Sequence, residues 1–265
     1  MKGEKLQELL HDTISLTKQV AAFIKHEQEY FKASAIEYKG LNDLVSFVDK
    51  EAERKLVTGL AALLPEAGFI AEEGTSSKKG EKYNWVIDPL DGTTNFIHGL
   101  PVFAISVALM DDDTVILGVV LEINRDECFY AIKGGKAFCN GQQIKVSDAP
   151  ALQDSLLATG FPYYNFNKME NYLAILKDYM QKTHGLRRMG SAAVDLVYVA
   201  CGRFEAFFEY NLKPWDVAAG TLIVQEAGGR VTDFKDGEDF IFGGELLAAN
   251  RIHAEALDVI KQHWD

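Results

Sequence analysis

Residues 88–95 read DPLDGTTN: Asp88, Pro89, Leu90, Asp91, Gly92, Thr93, Thr94 and Asn95. Pro89 has no backbone N–H to donate, so the apolar run YNWVI before it is predicted to end as a strand at Asp88, where the chain turns. Gly92 allows unusual backbone angles and close backbone approach. Asp91 or Thr93 can cap a short helix beginning near Thr94. The N–H groups at such a helix start favour an anion. Two carboxylates this close repel each other unless a cation lies between them. A plain turn with a helix cap accounts for the same residues, since Asp, Gly and Thr all favour turns.

Working outward, the N-terminal side shows helical periodicity over 4–31, through Leu6, Leu9, Leu10, Ile14, Val20 and Ile24. A second helix is predicted over about 46–64, through Val48, Ala52, Leu56, Leu60 and Leu63, ended by Pro65 and Gly68. Short apolar runs then read as strands: FIAEE, YNWVID, FAISVALM, TVILGVVLEI and ECFYAIKG. KGGK and CNGQ read as hairpin turns. In the second half, DSLLATG, RFEAFFE and LLAAN are strands. Helices are predicted over 168–182, from Ser191 to a C-cap at Gly202, from Pro214 through WDVAAGTLIVQEAGG, and over about 253–263. Consecutive strands followed by alternation predict a layered α/β fold with mixed sheets. The expected organisation is one unit over 1–265, whose halves, about 1–150 and 151–265, flank a site.

Other acids also fall at the ends of predicted elements. Glu72 and Glu73 follow a strand, where solvated surface is the ordinary explanation. Asp216 lies on the first turn of a helix and complements its dipole. Asp49 follows Ser46 by three residues, as in a capping box. Together they are a ligand inventory for hard divalent cations, which take carboxylate, carbonyl and water oxygens. Paired ions of this kind hold a phosphate, activate water and stabilise a leaving oxygen. Spacing alone does not make the segments converge.

Bulk properties narrow the classes. The chain has 265 residues and a formal net charge of −12, which argues against a nucleic-acid binder working through phosphate contacts. Cys128, Cys139 and Cys201 form no C-x-x-C pair, so no zinc ribbon or disulfide framework is expected. The N-terminal residues carry acids and a His where a signal peptide needs an apolar run. Val115 to Leu121 is too short to cross a bilayer. Reduced thiols in a cytoplasmic protein with no membrane partner are the expectation.

DPLDGTTNFIHGLP resembles the signature of the inositol monophosphatase family, D-P-[IL]-D-G-T-x-N-F. WDVAAGTLIVQEAGG resembles its second signature, W-D-x-A-A-G. The Glu-Glu-Gly at 72–74 and GSAAVDLVYVACGRFEAFFE follow the family in order. The resemblance runs from NDLVSFVDK to the C-terminal helix and is nearest the bacterial branch. It implies the sugar-phosphatase fold, with alternating helix and mixed-sheet layers. It implies that Glu72, Asp88, Asp91, Asp216 and the carbonyl of Leu90 coordinate Mg²⁺, with Mn²⁺ as a substitute and lithium as an inhibitor. Leu90 stands where many members have Ile.

By the same resemblance Gly92 and Thr93 offer N–H groups to the phosphate. Thr93 and Glu72 orient the attacking water, and Asp49 accepts a hydrogen bond from the Thr93 hydroxyl. Glu73 lies near the site without being a principal ligand. Gly190, Ser191 and Ala192 form the substrate turn, with Ser191 replacing a common Thr; a helix N-cap explains that turn equally. Glu209, with Asp91 and Asp216, lies against the substrate, Glu209 accepting from a hydroxyl. His98 is read as structural, because hard cations prefer oxygen. Lys78 and Lys79 are read as a solvated loop.

The implied activity is Mg²⁺-dependent hydrolysis of a small phosphate monoester. Inositol 1-phosphate or a related polyol or sugar phosphate is the expected substrate, and a homodimer the expected assembly. No Cys-x5-Arg nucleophile or paired His suggests a phospho-enzyme. A fructose-bisphosphatase-like or broad sugar phosphatase is the nearest alternative. A partner-binding role in a transcription complex is the alternative from another class. A calcium-binding module fits poorly, because DPLDG lacks the alternating ligands of an EF-hand loop.

Overall fold

Two large sheets divide the apolar residues into three cores in this computed structural model, which describes residues 1, 3–30, 36–38, 44–162 and 165–264, with backbone only at 36–38 and 44–46. In chain order the first half forms α1 (Gly3–Tyr30), β1 (Ile36–Tyr38), β2 (Leu44–Ser46), α2 (Phe47–Leu63), β3 (Gly68–Ala71), β4 (Tyr83–Asp91), α3 (Thr93–Ile97), β5 (Ala104–Asp111), β6 (Thr114–Glu122), β7 (Glu127–Ile132), β8 (Phe138–Cys139) and β9 (Gln142–Gln143). The second half forms β10 (Leu156–Thr159), α4 (Met169–Lys182), β11 (Gly185–Arg187), α5 (Ala192–Ala200), β12 (Ala206–Tyr210), α6 (Pro214–Glu226), β13 (Arg230–Thr232), β14 (Glu245–Ala249) and α7 (His253–Lys261).

The seven-stranded sheet runs β3-β4-β5-β6-β7-β8-β9, and the five-stranded sheet runs β11-β10-β12-β14-β13. Both are mixed. β3 pairs parallel with β4 and the rest of the first sheet is antiparallel, while β10 is parallel to both its neighbours. The layers alternate as the α/β reading requires. α1 and α2 cover one face of the large sheet, α5 and α6 fill the space between the sheets, and α4 and α7 cover the far face of the small sheet. Because both faces of the large sheet are covered, β5 and β6 are near-continuous apolar runs rather than alternating ones.

α1 buries Leu6, Leu9, Leu10, Val20, Ala21 and Ile24 along one stripe. Thr13 and Thr17 share that stripe, and each satisfies its buried hydroxyl by donating one turn back, to the carbonyls of Leu9 and Thr13. α6 approaches the large sheet closely through small residues. A Cβ added at Gly118 on β6 would lie 2.8 Å from the Ala219 carbonyl oxygen.

Three local expectations are corrected. β4 continues past Asp88, through Pro89, to Asp91, with a register shift between Asp88 and Asp91. Pro89 is tolerated because it sits in that bulge, where no ladder donor is required. Gly68 opens β3 rather than ending α2, whose last turn gives way at 64–67. The N-cap of α3 is Gly92, with φ 97°, and neither Asp91 nor Thr93 caps that helix. Both side chains bond elsewhere. The Ser46 side chain of the expected capping box lies outside the described residues.

Candidate active site

Three devices bring the acids into one neighbourhood. The parallel register pairs Ala71 with Ile87, and the Glu72 N–H donates to the Ile87 carbonyl at 3.2 Å, so Glu72 follows on beside Asp88. The bulge in β4 then carries Leu90 and Asp91 past Asp88, whose Oδ1 accepts from the Leu90 N–H at 2.9 Å. Opposite Asp88 in the ladder is Ser106, and its hydroxyl donates to the Trp215 carbonyl at 3.0 Å. That bond ties the start of α6, and with it Asp216, to the same end of the sheet.

Asp91 reaches across 100 residues of sequence. Its Oδ2 accepts from the Ser191 hydroxyl and the Ala193 N–H, both at 2.6 Å, and so closes the N-terminus of α5. Ser191 is the N-cap of that helix and accepts from the Val194 N–H at 3.3 Å. Asn95 holds the turn before it, donating to the Val102 carbonyl at 2.7 Å and the Met189 carbonyl at 2.8 Å. Three backbone segments crowd here: a Cβ on Gly92 would meet the Val102 oxygen at 3.0 Å and the Gly190 oxygen at 3.3 Å. Gly190 itself has φ 89°, so both positions demand glycine for conformation.

Thr93 donates its hydroxyl to Asp49 Oδ1 at 2.8 Å, and the Leu90 carbonyl lies 3.0 Å away as a second acceptor. One hydroxyl proton serves one acceptor at a time, and the carboxylate is the stronger. Asp49 is 1 % exposed, so this bond is made away from bulk water. Gly160, Arg188, Gly190, Ser191, Ala192, Glu209 and Asp216 line one cleft with Asp91. Every site residue expected from the sequence therefore falls in this region, Glu73 by its backbone. His98 is exposed beyond α3, and Lys78 and Lys79 are exposed on their loop.

Burial dominates the electrostatics. It pushes Asp88 well above the usual carboxylate range, and the charges of Glu72, Asp91 and Asp216 push further in the same direction. Asp91 rises to about 6 through burial, held back by its bonds to Ser191 and α5. Asp216 rises to about 7 through burial and the Asp91 charge, held back by the Lys213 N–H, which donates to its Oδ2 at 2.7 Å. Asp91 and Asp216 keep part of their surface open to the cleft, yet enough protein surrounds them for desolvation to lead.

Among the described residues no three acidic, His or Cys side chains converge on a common point as a finished ion cage would. The fit to a cation is one of chemistry. Mutually repelling carboxylates and a carbonyl are the oxygen donors that Mg²⁺ takes, and a positive charge relieves their repulsion. The hydrogen bonds described use one oxygen each of Asp88, Asp91 and Asp216. The thiols are poor nucleophiles, since burial pushes Cys128 up to about 12 and Cys139 up to about 11.

Sequence reasoning missed Glu53, Asn95, Arg188 and Asp195. Glu53 is fully buried on α2, one turn from Asp49, and accepts from the N–H groups of Glu73 and Thr75, both at 2.7 Å. An acid inside the apolar stripe of α2 was the available signal. Asp195, an acid in an otherwise apolar helix, offered the same kind of signal.

The layered fold has its counterpart in known proteins: the chain belongs to the inositol monophosphatase family, which it matches over residues 5–265. A protein of Neisseria meningitidis named putative Nus factor SuhB is 46% identical over 227 residues, covering 85% of this chain and 87% of that protein. An inositol-1-monophosphatase of Rhizobium meliloti is 42% identical over 228 residues, covering 86% of each. The crystal structure of the extragenic suppressor protein suhB from Bartonella henselae aligns with a TM-score of 0.90 at 35% identity, covering 96% of this chain and 99% of that one. Among the described residues no helix is long and apolar enough to cross a membrane.

Proposed function

We propose that the protein is a divalent-cation-dependent phosphatase acting on a small polyol or sugar phosphate, with myo-inositol 1-phosphate as a preferred substrate. The observation that carries this reading is the gathering of Glu72, Asp88, Asp91 and Asp216 around one end of β4, next to the Thr93–Asp49 pair. The halves before and after residue 150 supply the two walls. Glu72, Asp88, Asp91, Asp216 and the Leu90 carbonyl would hold Mg²⁺ or Mn²⁺, which supplies charge neutralisation at the phosphate and makes water more acidic.

The chain's own residues do the rest. With its proton committed to Asp49, the Thr93 oxygen keeps lone pairs to accept from the attacking water, and Asp49 is placed to draw the proton away. Glu72 orients the same water. The Gly190–Ala192 turn and the N-terminus of α5 position the substrate beside Asp91. Glu209 accepts from a substrate hydroxyl, which discriminates against substrates lacking one, because the acceptor is then left unpaired.

Phosphate release should require Mg²⁺ or Mn²⁺ and stop in excess chelator; full activity in chelator, with metal content checked, would refute the cation dependence. A panel of inositol 1-phosphate, fructose 1,6-bisphosphate, histidinol phosphate and nucleotide phosphates tests the substrate. A nucleotide or histidinol phosphate favoured tenfold over inositol phosphate would overturn that assignment. A second reading, a partner-binding role in a transcription complex beside the phosphatase, is favoured by the similarity to the Neisseria meningitidis protein named putative Nus factor SuhB. Pull-down with an inert Asp91→Asn variant separates the two, since partner capture by that variant does not depend on turnover.

A further inference from the structure

Asp195 is a buried acid with one carboxylate oxygen that the fold leaves unanswered. It lies in the first turn of α5, where every residue from Ala192 to Ala200 is buried, and it is itself 1 % exposed. Its Oδ1 is buried and has no hydrogen-bond partner among the described residues. Three other buried acids are answered by backbone donors. Glu53 takes the N–H groups of Glu73 and Thr75, Glu205 takes that of Leu156, and Glu122 takes those of Asn124 and Arg125. A buried carboxylate oxygen without a donor costs stability, and an apolar residue of similar size would not carry that cost. The α5 dipole favours an acid in its first turn, but the helix is otherwise Ala, Val, Leu and Tyr, and its apolar packing does not require a buried one.

Asp195 lines a polar cleft with Asp91, Arg188, Ser191 and Glu209. Burial first opposes its ionisation, Glu209 and then Asp91 add to that opposition, and Arg188 favours it. The geometry points to Asp195 as a specificity residue, a second acceptor beside Glu209 that takes a further hydroxyl of a polyol substrate. The inference rests on the phosphatase reading above and deepens it: two acceptors on one wall select a substrate with more than one hydroxyl near the phosphate. The missing donor in the free protein is then supplied by the ligand, a stability cost retained because binding relieves it.

The test is a pair of variants of the full chain, Asp195→Ala and Asp195→Leu. Ala is the best helix former and cannot overpack the site, and Leu restores volume. Each is assayed with Mg²⁺ on myo-inositol 1-phosphate and on phenyl phosphate, which has no hydroxyls, and each is melted without substrate. The expected result is that KM for inositol phosphate rises at least tenfold, with the loss in kcat/KM at least fivefold greater than on phenyl phosphate. The melting temperature of at least one variant is expected to equal or exceed the parent's. Mg²⁺ affinity, read by calorimetry, is expected within twofold of the parent.

Equal losses on both substrates, unchanged KM, or a fall in Mg²⁺ affinity that parallels the loss of activity would overturn the proposal. So would a lower melting temperature in both variants, which marks a structural acid. A parent that hydrolyses neither substrate sinks the phosphatase reading itself, a result distinct from any of these.

Discussion

The Thr93 hydroxyl sits between two acceptors, Asp49 Oδ1 at 2.8 Å and the Leu90 carbonyl at 3.0 Å, and the choice between them sets which way its lone pairs face. Removing the hydroxyl while leaving the backbone tests that role. Thr93→Ala is expected to lower kcat by roughly 10²–10⁴-fold, the usual worth of assistance by a positioned proton acceptor, with a smaller change in KM. Steady-state kinetics on inositol 1-phosphate give both numbers, and wild-type turnover would remove Thr93 and Asp49 from the mechanism. At this scale the sequence was informative about chemistry and silent about partners. Asp91 had a local explanation as a cap for α3, but its carboxylate is spent on α5, and Gly92 takes the cap position instead.

Elements are what aim these residues, and α2 does so with a side chain that performs no chemistry. Glu53 lies one turn along from Asp49 and holds the 72–75 turn by two backbone N–H groups. Hydrogen bonds to a charged acceptor contribute about 1.5–3 kcal/mol each. Glu53→Gln presents one acceptor oxygen and an NH₂ group to those two donors. It is expected to destabilise the fold by about 2–4 kcal/mol on that basis and to weaken divalent-cation affinity through a loosened Glu72. Chemical denaturation and calorimetric titration check the two effects, and a variant of parental stability would discard the account. Long periodic helices and apolar strands were legible in the sequence because burial imposes their period. β11 and β13 were not, being three-residue strands with no room for a pattern. The passage of β4 through Pro89 was hidden because a bulge, which relaxes the need for a donor, is a property of the pair of strands.

Across the whole molecule, stability should depend on pH through a group far from the cleft. His253 opens α7 and is 3 % exposed, with Nε2 3.0 Å from the Thr232 hydroxyl and Nδ1 buried without a partner among the described residues. Burial lowers its pKa to about 4, and the Arg230 charge acts in the same direction. Its folded value lies below its unfolded value, so the unfolded chain takes up a proton first as pH falls. Stability contributed by the neutral ring is complete above about 6.5, the ordinary histidine value, and is lost as pH falls from there toward about 4. Denaturation at pH 7, 6 and 5 should show a smaller loss in His253→Gln than in the parent; equal losses would exclude His253 as the source.

What the sequence determined by itself was the inventory and the local grammar. It supplied acids at the ends of elements, glycines where backbones crowd, helices and strands whose apolar periods require a layered α/β fold, and motifs specific enough to reveal the family. What only the tertiary structure decided is which acids meet and what each one bonds. Local preference gives each carboxylate a satisfactory role as a cap, a turn residue or a solvated end. Burying Asp88, Asp91 and Asp216 costs free energy that no local preference encodes: burial first raises the pKa of all three, and neighbouring acids raise Asp88 and Asp216 further. Packing of two sheets around α5 and α6 imposes that burial, through contacts such as Ser106 to Trp215 and Asp91 to Ser191, whose partners lie about a hundred residues apart and carry no local signal of each other.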